Sequence, residues 1–276
     1  MYLNCHSYHS LRFGTISTED LVALAVANDV KALALTDINA SAAVFDFIKD
    51  CQAANIKPLI GIEFRTEAHK LNYVALARSQ IGFAEMCKYR TTHNIEKTEM
   101  PNFAPEFEDV IVIYPLENSP ENLKDYEYIG VKPEQLIKLY RKEWRNRIEK
   151  MVILQPVTFR SKKEFNLHKI LRAVDDNVVL SKLSEQHYSP ISEQMIPIGQ
   201  LISKYKDYPQ IVSNTEDVIE LCDFKFDFKP LKNKKYYTRS RHSDKQLLTS
   251  LANEGLLKRY GKSNKEAQAR VNKELQ

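Results

Sequence analysis

Short apolar runs alternate with amphipathic stretches from the first residue onward. Residues 2–6 read as a strand. Ser17-Thr18-Glu19-Asp20 is a capping signal, a serine with an acid three residues on, and Leu21, Val22, Leu24, Ala25 and Val26 follow at helical spacing up to Asn28-Asp29. Lys31–Thr36 is a near-continuous apolar run of the kind a buried parallel strand needs. A helix is predicted over 41–54, with Val44, Phe45, Phe47 and Ile48 on its apolar side. Strands are predicted over 58–64 and 71–77, and a helix over 82–92. Strand and helix alternating at this pace predict right-handed βαβ units and a parallel sheet.

Further along, 100–107 reads as a loop and Val110–Tyr114 as a strand closed by Pro115. Pro133–Lys150 is predicted as one amphipathic helix, with Leu136, Ile137, Leu139, Tyr140, Trp144 and Ile148 on one side. Met151–Leu154 is the next strand, 166–174 a helix, and 184–200 irregular. Helical pieces over 201–205 and 215–222 follow, the second capped by Asn214-Thr215, and then a closing strand over 224–228. The pattern changes beyond Lys229. Lys232 to Arg241 is basic with interleaved tyrosines and reads as a linker, ahead of helices over 244–258 and 264–275. The chain stops in mid-helix without a cap, as expected of a piece of a longer protein.

Composition narrows the picture. The 276 residues suffice for one large domain or a domain with an appendage. No apolar run has the length of a membrane span, and no basic segment followed by an apolar one marks a secretory signal. Cys5, Cys51, Cys87 and Cys222 are scattered, which fits a reducing cytoplasm and neither a disulfide framework nor a structural zinc site. The net charge of +4 hides an asymmetry: residues 229–276 hold 13 Lys/Arg and 4 Asp/Glu, a net +9, which leaves the body at −5. Such a tail is either a solvated surface or the place where a polyanion is met, with Lys232, Lys234, Lys235, Arg239 and Arg241 as candidate phosphate contacts.

Candidate chemistry lies at the strand ends. Asn4-Cys5-His6-Ser7-Tyr8-His9-Ser10 gathers two imidazoles, a thiol and three hydroxyls, and Asp37 and Glu63 end the next two strands. In parallel α/β folds the carboxyl ends of strands line the functional crevice. His6, Asp37 and Glu63 therefore read either as a metal cradle or as a hydrogen-bonded polar cluster that outlived one.

Several ordered stretches resemble the N-terminal part of bacterial DNA polymerase III α subunits, a polymerase-and-histidinol-phosphatase (PHP) domain. They are His6-Ser7-x-x-Ser10 with Gly14, Ala32–Asp37, Ile56–Phe64, Leu76-Ala77 with Gly82-Phe83, Asn214-Thr215 ahead of Cys222, and Glu254-Gly255-Leu256 through Arg259-Tyr260-Gly261. The resemblance implies a distorted (β/α)7, TIM-like barrel over 1–228. Residues 229–276 would form a basic linker and the beginning of the polymerase palm. It also implies a metal cluster of His, Asp and Glu at the strand ends, against which this chain is degenerate. His6, Asp37 and Glu63 match ligand positions, whereas Asn4, Phe13, Ile38, Asn72, Pro156 and Thr158 stand where ligands are expected.

The three aspartates with which the palm holds two metals have no counterpart in Asp175-Asp176, Asp223 or Asp227. The expectation is a non-catalytic structural module of a DNA-directed DNA polymerase. Its partners would be palm and thumb, primer–template DNA and other replisome subunits, with Mg2+ as the cofactor of the whole polymerase. The alternative is a metal-dependent PHP phosphoesterase or 3′–5′ proofreading exonuclease that binds Zn2+ or Mn2+ at the barrel mouth.

Overall fold

A computed structural model describes residues 1–66, 69–230 and 233–275. Two compact units are present, Met1–Phe226 and Asp227–Gln276. The first is built on strands β1 (Asn4–Cys5), β2 (Ala32–Leu35), β3 (Lys57–Arg65), β4 (Leu71–Ala77), β5 (Val110–Pro115), β6 (Glu127–Val131), β7 (Met151–Ile153) and β8 (Pro156–Val157). Strands β2 to β7 form one sheet in sequence order, and β8 pairs in parallel with β1. The amides of Ala34 and Thr36 donate to the carbonyls of Tyr2 and Cys5, which ties β1 to β2. Because β7 runs on into β8 through Leu154-Gln155, the ring closes as a distorted seven-stranded α/β barrel.

The helices follow from local sequence. Helix α1 (Thr18–Ala27) starts where the Ser17 side chain accepts from the Asp20 amide. Helix α2 (Val44–Ala53) buries Val44, Phe47, Ile48 and Cys51. Helix α3 (Gln80–Glu96) is capped by Ser79 and ends in left-handed Lys97. A short α4 (Lys142–Arg145) precedes α5 (Lys162–Asp175), which is capped by Ser161. Helices α6 (Ile198–Lys204) and α7 (Pro209–Leu221) complete the unit.

Several expectations are corrected. Strand β4 runs antiparallel to both β3 and β5, since the 66–70 connection is too short for the crossover a parallel pair requires. Strand β6 escaped prediction because Glu127 and Gly130 interrupt a run of only five residues. Here Glu127 is buried and accepts from Tyr114 Oη, and a Cβ at Gly130 would lie 2.6 Å from the Leu154 side chain. The 133–150 helix is broken into a 3-10 turn over Pro133–Tyr140, the short α4, and a 3-10 turn over Ile148–Lys150, because Arg141 takes an extended backbone. No strand forms over 224–228.

Asn214 and Thr215 are not a cap but lie inside α7, where they fasten it to the barrel. Asn214 donates to the carbonyls of Ile148, Glu149 and Met151, and Thr215 Oγ1 accepts from the Ile153 amide at 2.9 Å.

The second unit holds α8 (Arg241–Tyr260) and α9 (Lys265–Glu274). Helix α8 ends at Gly261, whose φ of 72° suits glycine. The stretch expected to be a linker is folded at its C-terminal end: the amides of Tyr237 and Thr238 donate to the Asp244 carboxylate, and Ser240 caps α8.

Candidate functional site

The site begins with tight turns after β1 and β2. A Cβ at Gly14 would fall 1.8 Å from the Ser7 carbonyl oxygen, so only glycine lets the chain double back there. The fold thus brings Ser7 and Ser10 against Asp37. Its Oδ1 accepts from the Ser7 amide and the Ser10 hydroxyl, and its Oδ2 from the Ser7 hydroxyl, each at 2.7 Å.

Glu63, at the end of β3, is fully buried. Its Oε2 accepts from Asn4 Nδ2 at 2.6 Å and from His6 Nε2 at 3.0 Å, and its Oε1 accepts from Arg65 Nε. Burial alone would raise this carboxyl. Arg65 and His6 outweigh it and hold the group far below the usual carboxylate range.

On its other side His6 Nδ1 meets Thr158 Oγ1 at 3.1 Å. That hydroxyl donates to Glu193 Oε2 at 2.8 Å, so His6 and Thr158 link the two buried acids Glu63 and Glu193. Glu193 is buried, which raises its carboxyl, but Lys132, 3.3 Å from Oε1, is the first of the influences that together lower it. A hydrogen-bonded chain therefore crosses the barrel mouth: Arg65, Glu63, His6, Thr158, Glu193 and Lys132.

This arrangement does not fit a metal ion. The carboxylates of Asp37 and Glu63 are taken up by Ser7, Ser10, Asn4, His6 and Arg65, and both His6 nitrogens have hydrogen-bond partners. Nor are His6, Asp37 and Glu63 gathered into a ligand set of three: among the described residues, the group of three acid and imidazole side chains whose ligand atoms all lie within 4.8 Å of one another is His69, Asp175 and Asp176. There Arg12 and Arg172 already bind Asp175, at 2.9 and 2.6 Å.

The six positions at which the resemblance implies ligands make other contacts. Asn4 accepts from Thr36 Oγ1 while donating to Glu63. The Phe13 ring lies edge-on to His6 and His168, with the Arg65 guanidinium 4.4 Å above it. Ile38 is partly buried and its amide donates to Ser10 Oγ. Asn72 donates to the carbonyls of Met100 and Pro101, while its Oδ1 is buried without a partner. Pro156 pairs with Asn4 in the β1–β8 register.

Sequence reasoning missed Arg65, Lys132, Glu193 and His168. Arg65 stands two residues beyond Glu63 on the same strand, which was its one readable signal. His168 had another, a polar residue on the buried side of α5 one turn before Arg172. Its Nδ1 donates to the Phe13 carbonyl and its Nε2 accepts from the Ser189 amide, so it is neutral. Burial is the chief reason its value drops to about 4. A histidine lowered on folding stabilises above its unfolded value of 6.5 and loses that contribution as pH falls toward 4. Stability in urea is expected to fall by up to about 3 kcal/mol across this window from His168 alone, and a His168→Gln chain should lack that component.

Of the candidate phosphate contacts, Lys234, Lys235 and Arg241 are exposed and Arg239 is exposed ahead of the α8 cap, whereas Lys232 lies outside the described residues.

The profile of the PHP domain family matches residues 3–140, and the chain belongs to that family. Its similar relatives are DNA polymerase III α subunits. That of Ureaplasma parvum serovar 3 is 25% identical over 195 residues, covering 69% of this chain and 19% of the relative. That of Staphylococcus aureus strain Mu50 is 27% identical over 192 residues, with 67% and 18% covered. The Halalkalibacterium halodurans subunit is 20% identical across 100% of this chain and 27% of its own length. The chain thus spans between about a fifth and just over a quarter of these relatives. Among the described residues, no helix is long and apolar enough to cross a membrane.

Proposed function

We propose that this chain is a non-catalytic PHP module of a DNA polymerase III α-type subunit, which braces the polymerizing part of that protein. The observation that carries the reading is the pairing of the two buried acids Glu63 and Glu193 with Arg65 and Lys132. Side-chain cations provide the positive charge that ions would otherwise bring to these acids. The polymerase activity, with its Mg2+, belongs on this reading to a palm outside these residues. Residues of the Asp227–Gln276 unit would be the beginning of that palm. The basic side chains Lys234, Lys235, Arg239 and Arg241 would lie near primer–template phosphates, other replisome subunits are the expected partners, and the setting is the cytoplasm.

The expected result is turnover at background for bis(p-nitrophenyl) phosphate and for 3′-labelled single-stranded DNA, with Mn2+ or Zn2+ supplied at millimolar concentration, and no change in His6→Ala. Metal-dependent cleavage that His6→Ala abolishes would replace this reading with the phosphoesterase or exonuclease alternative.

A further inference from the structure

Helix α5 is turned inside out. Its buried residues are His168, Arg172 and Ala173, two polar side chains and a small one. Leu167, Ile170 and Val174, spaced i, i+3 and i+7 on a single stripe, face solvent at 45, 49 and 62% exposure. Past the helix end Val178, Val179 and Leu180 are exposed as well. Six large aliphatic side chains within fourteen residues thus stand in water. A helix packed for its own domain alone turns its apolar side to the core, and an exposed apolar patch marks a surface that something else covers.

The inward polar face is accounted for. His168 holds the Phe13 carbonyl and the Ser189 amide, and Arg172 holds the His187 carbonyl through Nε and the Asp175 carboxylate through Nη1. The outward stripe serves no such network.

Charge identifies the occupant. Of the four acids in residues 162–185, Glu164 is paired with Arg160, Asp175 with Arg12 and Arg172, and Asp176 with His187, while Glu185 is exposed on a separate 3-10 turn. Lys163 continues the stripe one turn before Leu167, and Lys162 and Lys182 flank the patch in sequence. All three are exposed and pair with no carboxylate among the described residues. An aliphatic stripe bordered by lysines is complementary to a surface that is both apolar and acidic. From Leu167 to Val174 the stripe runs about 10 Å, two helical turns, over which a second helix can pack ridge into groove. No exposed large aromatic side chain lies in residues 162–183, whereas helices that lie on membranes carry Trp or Phe on their apolar side. A second copy of this chain would bring the same lysines against these.

We propose that the outer face of α5, with Val178, Val179 and Leu180, is a docking surface for an acidic amphipathic helix of another protein. The inference goes beyond the bracing role and holds whatever chemistry the strand-end acids perform.

The test is fluorescence anisotropy of the chain with two labelled amphipathic helical peptides, one with leucine on one face and glutamate elsewhere, the other with lysine in place of each glutamate. Equimolar phosphatidylcholine–phosphatidylglycerol vesicles and sedimentation of the chain alone complete it. Saturable binding is expected for the glutamate peptide and about tenfold weaker binding for the lysine peptide, with a monomeric chain that does not sediment with vesicles. Ile170→Glu should weaken the glutamate peptide by about tenfold or more, since it sets a like charge in the middle of the stripe. Lys163→Glu should weaken it about threefold. Leu167→Gln, at a second exposed position, keeps the test open if Ile170→Glu fails to fold. No saturation by the glutamate peptide, equal binding of the lysine peptide, or unchanged affinity in Leu167→Gln and any folded Ile170→Glu would overturn the proposal. Vesicle binding or dimerisation that Ile170→Glu abolishes would overturn it too, and would assign the stripe to a membrane surface or to a second copy. Each of these outcomes leaves the non-catalytic reading where it stands.

Discussion

Arg65→Met is expected to cost about 3–5 kcal/mol in urea unfolding, with native far-UV circular dichroism retained under folding conditions. Methionine keeps much of the side-chain length and its packing over Phe13, so the loss isolates the charge. What remains is a Glu63 carboxylate at 0% exposure, supported by Asn4 and His6 alone. Removing one partner of a buried pair strands the other, which is why the expected cost exceeds that of surface pairs such as Lys225–Asp223.

The pH dependence gives a second readout. In the unaltered chain Glu63 is depressed on folding, so it stabilises above its unfolded value of about 4.5, and this contribution is lost as pH falls through and below that value. Arg65→Met removes a principal cause of the depression, so Glu63 takes up a proton at higher pH in the variant. The deficit should therefore be full near neutrality and shrink as pH drops through the carboxylate range. Pairing Arg65→Met with Glu63→Leu should recover a large part of the loss, since neither charge is then stranded. A loss below about 1 kcal/mol, constant with pH, would show that His6 and Asn4 suffice to hold the carboxylate.

What was readable in the sequence was the end of each strand, and what was hidden was its partner. His6, Asp37 and Glu63 stood out because a polar residue closing an apolar run has few structural excuses. Asn4, Phe13, Ile38, Asn72, Pro156 and Thr158 stood out because the resemblance supplies an expectation for each. Lys132 and Glu193 could not be read in the same way. They reach the barrel mouth from the β6 exit and from an irregular stretch that has no periodicity, and only chain closure makes them neighbours.

Direction was also hidden. The apolar pattern of β4 is the same in either orientation, and what decides it is the length of the connection at 66–70. The 133–150 segment failed for a related reason: its spacing is helical, yet Ile137 and Tyr140 are exposed, so no continuous face is buried to hold one helix together. Asn214 and Thr215 looked like a cap because those residue types satisfy free amides. In α7 they satisfy backbone groups of β7 and the turn before it, the same chemistry serving a tertiary contact.

Asp37→Ala distinguishes a scaffold from a lapsed enzyme most directly. Asp37 is 1% exposed and accepts three hydrogen bonds, from the Ser7 amide, the Ser7 hydroxyl and the Ser10 hydroxyl. The Ser10 hydroxyl also receives the Ile38 amide, and the Ser7 hydroxyl the His9 amide, so one carboxylate organises both turns. Hydrogen bonds to a charged group are worth about 1.5–3 kcal/mol each, and a buried donor left unsatisfied costs about 1–3. The three are not independent, and alanine is expected to lose about 4–5 kcal/mol in all, enough to make the barrel marginal at 37 °C. Asp37→Asn preserves shape and one carbonyl acceptor for the Ser7 amide, and its amide can donate to the Ser7 hydroxyl, so it should lose roughly half as much. Chemical denaturation of the two variants, with and without Mn2+ or Zn2+, separates the roles. If Asp37 acts through the two turns alone, both variants unfold at lower urea, alanine before asparagine, and added metal moves neither them nor the parent. If instead Asp37 were also a ligand for an ion, Mn2+ or Zn2+ would raise the parent's midpoint and leave those of the variants where they were.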